Sequence, residues 1–237
     1  MQLFYSPHVE DTFVLPPDDA HHLLTVLRRK AGETIHLTDG KGWKYEAKLL
    51  SNQAKNCRVE VLKKELVPKK GEYYIHIAVA PTKNLDRIEY FVEKAVEVGI
   101  DEISFFYSQH SERRQLNLAR IEKIAIAALK QSCRFYLPTL NDMMSFSQFL
   151  AKKYTGQLFI AHETADPTNH LLQKATPAAR YTVMIGAEGG FSDEEVHAAQ
   201  LAGFEPVSLG EYRLRTETAA FASCLALNFL QLKKPTS

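Results

Sequence analysis

The sequence predicts two domains, a small β-rich domain in residues 1–70 and a larger α/β domain in residues 71–237. Short candidate strands separated by turn signals occupy residues 34–64. Beyond Gly71, apolar strands alternate with amphipathic helices, which is the pattern of a largely parallel sheet covered by helices. The polar stretch VPKKGE, residues 67–72, contains proline and glycine and is therefore predicted to link the two domains.

The small domain is predicted to contain one helix followed by three strands, as in a small β-barrel. The helix runs from about Pro17 to Lys30, with Leu23, Leu24 and Leu27 on one side. The three strands are TIHLTD, KYEAKLL and NCRVEVLKK, and the turn signals between them are Asp39-Gly40 and Ser51-Asn52.

In the larger domain, two helices have clear boundary signals. Asn84 is a candidate N-cap for the segment LDRIEYFVEKAVEVG, and Gly99 ends that helix. A helix from Ser192 to Ala202 begins with a capping box, because Glu195 follows Ser192 by three residues. Since parallel sheets bind ligands at the carboxyl ends of their strands, the loops there are candidate sites. The other predicted elements are strands 73–80, 102–107, 157–162, 181–186 and 206–210, a helix over 117–133 and a last helix through Leu232.

Composition narrows the class of protein. Hydrophobic residues make up 45% and charged residues 24% of the 237 residues, which is typical of a globular protein. No uncharged run is long enough for a membrane span, and the first residues carry no signal-peptide pattern. Cys57, Cys133 and Cys224 form no CxxC pair, so neither a disulfide framework nor a metal site is expected. The expected location is a reducing cytoplasm.

The net charge of +1 combines two unequal parts. Residues 1–70 hold 12 basic and 9 acidic side chains, whereas residues 71–237 hold 17 and 19. The densest basic cluster, Arg28-Arg29-Lys30, favours either the solvated C-terminus of a helix or a nucleic-acid contact. A wholly basic, histone-like protein is excluded, but a local basic surface is not.

A glycine-rich loop follows the predicted strand 181–186. It places three of the chain's 11 glycines, Gly186, Gly189 and Gly190, within five positions around Glu188. The spacing matches neither a Walker A loop nor GxGxxG. A sharp turn with a solvated Glu188 is one interpretation, but a plain turn does not need three glycines. We therefore favour a loop whose backbone closely approaches a ligand.

A second charged loop, SLGEYRLRTETA, lies between the last predicted strand and the last helix. Thr216 or Thr218 is a candidate cap for that helix, with Glu217 favourable at its positive end. Capping leaves Arg213 and Arg215 unexplained. A third junction between strand and loop, residues 160–164, lies at the end of the predicted strand 157–162 and contains His162.

These segments resemble a known family. IGAEGGFSDEE and LGEYRLRTETA together are similar to the C-terminal signature of the bacterial ribosomal RNA uridine N3-methyltransferases, S-adenosylmethionine enzymes of the SPOUT class. HHLLTVLRRKAGETIHLTDGKG resembles the PUA-like, RNA-binding barrel of that family, and KNLDRIEYFVEKAVEVGIDEI and KQSCR also match family segments. The resemblance implies a C-terminal trefoil knot, S-adenosylmethionine bent against the knot loops, and a homodimer.

The resemblance also implies a methylation site. Given that reaction, we hypothesise that Arg215 stabilises the anion that forms when the uracil N3 proton leaves, and that Glu188 or Glu217 accepts that proton or orients a water. The sequence departs from the family pattern at Ala187, usually proline, at Tyr212 and Arg213, usually arginine then an aliphatic residue, and at Lys130, usually an acid. The implied cofactor-binding residues are His162, Gly186, Glu188, Gly189, Gly190, Leu209, Gly210, Leu214, Arg215, Thr216, Thr218 and Ala219.

The implied substrate is an unpaired or flipped-out uridine of small-subunit (16S) ribosomal RNA, because N3 lies on the Watson–Crick edge. Competing interpretations are 2′-O-ribose methylation, an RNA-binding module without activity, and a nucleotide-dependent oxidoreductase. Four of the candidate phosphate-binding residues also have interpretations without RNA. Lys83 could lie at a solvated helix start, Arg113 and Arg114 in an exposed loop, and Arg134 at a helix C-terminus. The candidate phosphate-binding residues are Arg28, Arg29, Lys30, Lys83, Arg113, Arg114 and Arg134.

Overall fold

The computed structural model describes residues 2–51, 53, 56–69, 71–163, 165–177 and 180–232. Internal contacts divide the chain into two compact units, one of residues 1–70 with 126–137 and one of residues 71–125 with 138–237. Asn52 of the second turn signal, Lys70 of the predicted linker and Thr164 of the loop 160–164 lie outside the described residues. In the described part of the chain, no helix combines the length and apolar character needed to cross a membrane.

The smaller unit contains a five-stranded sheet in the order β1-β3-β4-β5-β2. β1 pairs with β3 in parallel, and the other pairs are antiparallel. β1 and β2 have three residues each and were not predicted, because so short a segment shows no alternation. The strands are β1 (Leu3–Tyr5), β2 (Thr12–Val14), β3 (Thr34–Thr38), β4 (Trp43–Leu49) and β5 (Arg58–Leu66).

The helix predicted over Pro17–Lys30 is shorter than expected. It consists of α1 (Pro17–His21) and a following π-helical turn, His22–Val26. Arg28 adopts a positive φ of 55°, a backbone conformation that cannot continue a helix. The cluster Arg28-Arg29-Lys30 therefore lies in an exposed loop, not at the end of a continuing helix.

The larger unit contains six strands in the order β11-β9-β10-β6-β7-β8. Every neighbouring pair is parallel, which confirms the predicted parallel sheet. β8 was not predicted, because its sequence TLNDMMS has no apolar run. The strands are β6 (Tyr74–Val79), β7 (Glu102–Tyr107), β8 (Thr139–Ser145), β9 (Gln157–Ala161), β10 (Arg180–Ile185) and β11 (Glu205–Val207).

The helix-boundary predictions are confirmed at three caps. The Asn84 side chain accepts a hydrogen bond from the Asp86 N–H, and Gly99 ends the helix with a φ of 106°. Ser192 and Glu195 form the capping box. The helices are α2 (Leu85–Val98), α3 (Leu118–Gln131), α4 (Phe146–Leu150), α5 (Leu171–Lys174), α6 (Asp193–Leu201) and α7 (Thr216–Leu230).

Polar side chains from three neighbouring strands form a buried cluster in the middle of the large sheet. The His76 Nε2 lies 2.8 Å from the Ser104 Oγ, and its Nδ1 lies 3.3 Å from the Thr182 Oγ1. Glu102 Oε1 is 3.8 Å from the same Nε2. Burial is the main cause that lowers the pKa of His76 to about 4, against the opposing effect of Glu102. The imidazole is therefore neutral in the folded chain at neutral pH.

We expect His76 to make folding stability fall as the pH drops from about 6.5 to about 4. In this interval the imidazole of the unfolded chain binds a proton, whereas the buried imidazole does not. The loss amounts to roughly 3 kcal/mol at the lower end. Urea unfolding measures the free energy of unfolding at each pH. From about pH 6.5 to about pH 4 this free energy should fall more steeply for the wild type than for His76→Gln. Parallel curves for the two proteins would contradict the prediction, whatever their absolute stabilities.

Candidate active site

A cavity of about 670 Å³ opens at the carboxyl ends of β9, β10 and β11. Its size falls within the usual range for small-molecule sites, about 300–1,000 Å³. Three loops form most of its wall, residues 161–163, 186–191 and 208–215, and the first turn of α7 and Arg87 of α2 complete it. The cavity thus lies at the sheet edge where parallel strands are expected to bind ligands.

The structure brings most of the predicted cofactor-binding residues together. The exception is Thr218, which is exposed and does not line the cavity. Positions i and i+3 of a helix share a face, so Thr216 and Ala219 face the cavity together while Thr218 lies on another face of α7. Glu217 is buried and also does not line the cavity. The lining residues that the sequence predicted are His162, Gly186, Glu188, Gly189, Gly190, Leu209, Gly210, Leu214, Arg215, Thr216 and Ala219.

The glycine-rich loop has little room for side chains. The Gly190 N–H donates to the Ala187 carbonyl at 2.9 Å, and Gly190 has a φ of 67°. A Cβ at Gly186 would lie 3.1 Å from the Gly190 backbone, and one at Gly189 would lie 2.7 Å from the Cβ of His110. His110 also places its Nδ1 3.1 Å from the Gly189 carbonyl oxygen. Close packing therefore favours glycine at positions 186 and 189, whereas the positive φ favours it at position 190.

Hydrogen bonds join the charged loop and α7 to the glycine-rich loop. The Thr216 hydroxyl donates to the Gly186 carbonyl at 3.0 Å. Arg215 is the N-cap residue of α7 and its side chain makes no cap hydrogen bond, so the predicted capping role of Thr216 or Thr218 is wrong. Gly210, with a φ of 131°, donates its N–H to the Ser208 Oγ at 3.2 Å. Thr216 thus connects the start of α7 to the glycine-rich loop.

Arg213 connects all three loops of the cavity. Its Nη2 donates to the Glu188 carbonyl at 3.1 Å, and its Nε lies 3.2 Å from Oε2 of Glu163. Both side chains of the ion pair are largely exposed, so the pair contributes little free energy. Tyr212 lines the cavity beside it and is 83% exposed. Lys130, by contrast, pairs with Asp19 at 2.7 Å within the smaller unit.

The two candidate proton acceptors share one cation, Arg87. Its Nη1 lies 3.7 Å from Oε1 of Glu188, and its Nε lies 3.9 Å from Oε1 of Glu217. Glu188 also accepts a hydrogen bond from the Lys83 N–H at 3.3 Å. Sequence reasoning missed Arg87, although an arginine in the first turn of a helix opposes the helix dipole and is a weak signal of another role.

Arg215 differs from the other two arginines of the cavity. It is exposed and lines the cavity, and among the described residues no carboxylate forms an ion pair with it. Arg87 and Arg213 each lie beside carboxylates, as described above. Arg215 therefore offers the cavity a positive charge that no neighbouring carboxylate of the described chain neutralises.

The candidate RNA-binding residues fall into different environments. Arg28, Arg29 and Lys30 are exposed, although Arg29 pairs with Glu33 at 2.7 Å. Arg114 is exposed and lies over the Tyr107 ring, 5.1 Å from its centre.

The remaining candidates contact other groups of the protein or are half-buried. The Lys83 Nζ lies 3.1 Å from Glu112, Arg134 is half-buried, and Arg113 donates from its Nη2 to the Lys83 carbonyl at 2.8 Å. Arg113 therefore braces the loop before α2. Within the described part of the chain, no three His, Cys, Asp or Glu side chains cluster closely enough to hold a metal ion.

Comparison with known proteins places this geometry in a family. A model described as an RNA methyltransferase domain matches residues 69–228, and one described as an RNA methyltransferase PUA domain matches residues 15–62. The chain is 30% identical over 226 residues to ribosomal RNA small subunit methyltransferase E of Mesomycoplasma hyopneumoniae (strain 232), covering 92% of this chain and 95% of that protein. The corresponding protein of Buchnera aphidicola subsp. Acyrthosiphon pisum (strain APS) is 27% identical, with coverage of 91% and 87%.

Solved structures agree with these matches. The crystal structure of a probable rRNA-methyltransferase from Porphyromonas gingivalis is 40% identical, with a TM-score of 0.91 over 98% of this chain and 99% of that one. A ribosomal RNA small subunit methyltransferase E from Neisseria gonorrhoeae, bound to S-adenosyl methionine, is 30% identical, with a TM-score of 0.87 over 97% and 98%. The predicted SPOUT-class α/β domain with a PUA-like N-terminal domain is confirmed. The chain therefore belongs to the RNA methyltransferase family in which a PUA domain precedes the methyltransferase domain.

Proposed function

We propose that this protein transfers a methyl group from S-adenosylmethionine to N3 of a uridine in small-subunit ribosomal RNA. The observation that carries the proposal is the cavity at the carboxyl ends of β9, β10 and β11, with Glu188 and an unneutralised Arg215 in its wall. The names of the relatives support a small-subunit ribosomal RNA substrate. The sequence resemblance described above supports the uridine N3 position.

The cavity residues fit S-adenosylmethionine. The positions where Gly190 and Gly210 would carry a Cβ face open space, so a ligand can approach both backbones closely. The half-buried Leu209 and Leu214 add apolar surface for the cofactor. When bound, S-adenosylmethionine supplies an electrophilic methyl group on a positively charged sulfur.

The side chains of the cavity then handle the proton and the charge of the uracil. Glu188 lines the cavity and accepts the N3 proton, a role for which it is better placed than the buried Glu217. Arg215 stabilises the negative charge that the uracil ring acquires as that proton leaves. The N3 atom can then form its bond to the methyl carbon as the bond from that carbon to sulfur breaks.

We further propose that residues 1–70 form the RNA-binding domain and residues 71–237 the methyl-transfer domain, with a boundary near the ends of the two family matches. The proposal includes a trefoil knot in the C-terminal segment and a homodimer, which the family resemblance implies, and a cytoplasmic location, which the cysteine usage implies. Contact with RNA phosphates is assigned to the exposed cluster Arg28-Arg29-Lys30 and to Arg114.

Gly189→Ala is expected to weaken S-adenosylmethionine affinity roughly tenfold, because overpacking typically costs about 1–3 kcal/mol and about 1.4 kcal/mol corresponds to a factor of ten. The added Cβ would lie 2.7 Å from the His110 Cβ, so the ligand-facing loop must shift. Calorimetric titration measures the affinity. His110→Gly removes the atom with which the new Cβ would clash. In the His110→Gly background, Gly189→Ala should therefore weaken the affinity by a smaller factor than it does in the wild type. Equal affinities for the wild type and Gly189→Ala would contradict the placement of this loop at the cofactor.

Product analysis tests the proposed function. Small subunits from a strain that lacks the modification are incubated with the purified protein and S-adenosylmethionine, and their RNA is digested and analysed by mass spectrometry. The expected product is 3-methyluridine at one position. Appearance of 2′-O-methylated nucleosides would overturn the N3 assignment, and absence of any methylated product would overturn the proposed activity.

A further inference from the structure

One cation in the cavity wall lies between two carboxylates that belong to different elements. Arg87 comes from the first turn of α2, Glu188 from the glycine-rich loop and Glu217 from the first turn of α7. The closest nitrogen–oxygen distances are 3.7 Å to Glu188 and 3.9 Å to Glu217. Both distances are too long for hydrogen bonds, so the three groups interact through charge alone.

The buried partner of this cluster is Glu217. It is 8% exposed, and its Oε2 has no hydrogen-bond partner among the described residues. A buried carboxylate is costly unless a cation or hydrogen-bond donors compensate it. Arg87 is the cation that compensates Glu217, and Glu217 in turn restrains the guanidinium from below the cavity wall.

The exposed partner of the cluster is Glu188, which faces the cavity. Its Oε1 is held by two groups at the start of α2, the Lys83 N–H and the Arg87 guanidinium. The Glu188 carbonyl is separately held by Arg213. Different residues thus hold the backbone and the carboxylate of Glu188.

We propose that Arg87 is a positioning residue for methyl transfer. Its guanidinium, anchored by the buried Glu217, holds the Glu188 carboxylate at the cavity wall in the orientation that receives the substrate proton. The inference rests on the proposed function and adds a residue to it. The alternative is that Arg87 only neutralises Glu217 and has no part in turnover.

A set of variants separates these two roles. The variants are Arg87→Ala, Glu217→Gln and their combination, with turnover, KM for both substrates and thermal stability measured for each. We expect Arg87→Ala to lower kcat by about 10–100-fold, less than the roughly 10²–10⁴-fold typical of a group that itself transfers the proton, because Arg87 acts through Glu188. Glu217→Gln should restore the thermal stability of Arg87→Ala but not its kcat. Recovery of both by the double variant would overturn the proposal.

A second cycle tests the link to Glu188. If Arg87 acts through that carboxylate, Arg87→Ala adds little further loss of kcat to Glu188→Gln, and the two effects are strongly non-additive. Independent, multiplying losses would overturn the proposal. Arg87→Lys, which keeps the charge, should retain more turnover than Arg87→Ala.

A matched control and the product analysis complete the design. Arg120 donates to Glu89 of α2 at 2.9 Å and does not line the cavity, so Arg120→Ala removes a similar pair and should leave kcat unchanged. The identity of the methylated nucleoside decides the proposed function, whereas the coupling between Arg87 and Glu188 decides this inference. A product other than 3-methyluridine with the coupling intact would overturn the N3 position and keep the role of Arg87.

Discussion

Replacement of Arg215 by alanine is expected to lower kcat by about 10²–10³-fold at saturating RNA and cofactor. Arg215 lines the cavity and, in the described part of the chain, has no carboxylate partner in its wall. An unneutralised cation next to a reacting uracil stabilises the negative charge that develops there. Single-turnover methylation with labelled S-adenosylmethionine measures the chemical step directly.

Two more variants serve as controls for the loss of the Arg215 charge. Arg215→Lys keeps the positive charge and should recover part of the lost rate. Lys174→Ala removes a cation that pairs with Glu205 at 2.7 Å outside the cavity, and it should leave the rate unchanged. Near-normal turnover by Arg215→Ala would refute its role as the stabilising cation.

Simultaneous reversal of Arg28, Arg29 and Arg114 to glutamate is expected to weaken RNA binding steeply, roughly 10²-fold or more at low salt. All three side chains are exposed. Each lost phosphate contact also reduces counterion release, so the slope of log affinity against log salt should flatten by about 2. Filter binding to small-subunit ribosomal RNA over a range of salt concentrations measures both quantities.

A charge-matched control makes this result specific. Reversal of Lys123, Lys152 and Lys153, which are also exposed, changes the net charge by the same amount. If binding depends on Arg28, Arg29 and Arg114 themselves, this control should lose much less affinity and keep its salt slope. Equal losses for both triple variants would mean that only overall charge matters, and the assignment would then be wrong.

The sequence predicted the elements whose boundaries depend on neighbouring residues. The Asn84 cap, the Gly99 stop and the capping box at Ser192 involve contacts within a few positions, so local pattern was sufficient. The cavity loops were also predictable, because alternation of strands and helices implies a parallel sheet with ligands at one edge. The helix predicted from leucine spacing, however, was too long, because that spacing does not indicate the positive φ at Arg28.

The features that escaped prediction depend on contacts between distant parts of the chain. Arg87 approaches Glu188 and Glu217 only when α2, the glycine-rich loop and α7 come together, and no local spacing encodes that meeting. The hydrogen bond from Arg113 to the Lys83 carbonyl joins residues 30 positions apart, so no local pattern indicates it, and RNA contact by Arg113 stays a prediction. The exclusion of Thr218 from the cavity was within reach, since helical phase alone separates it from Thr216 and Ala219.

The position of β10 constrains how the large sheet can fold. β10 lies between β9 and β6, both of which precede it in the chain. β6, β7 and β8 can pair in the order of their synthesis, but the facing edges of β6 and β9 stay unpaired until residues 180–185 insert between them. Such long-range parallel pairing is slow, and open strand edges invite association with other chains. Refolding of this protein should accordingly be slow and sensitive to protein concentration.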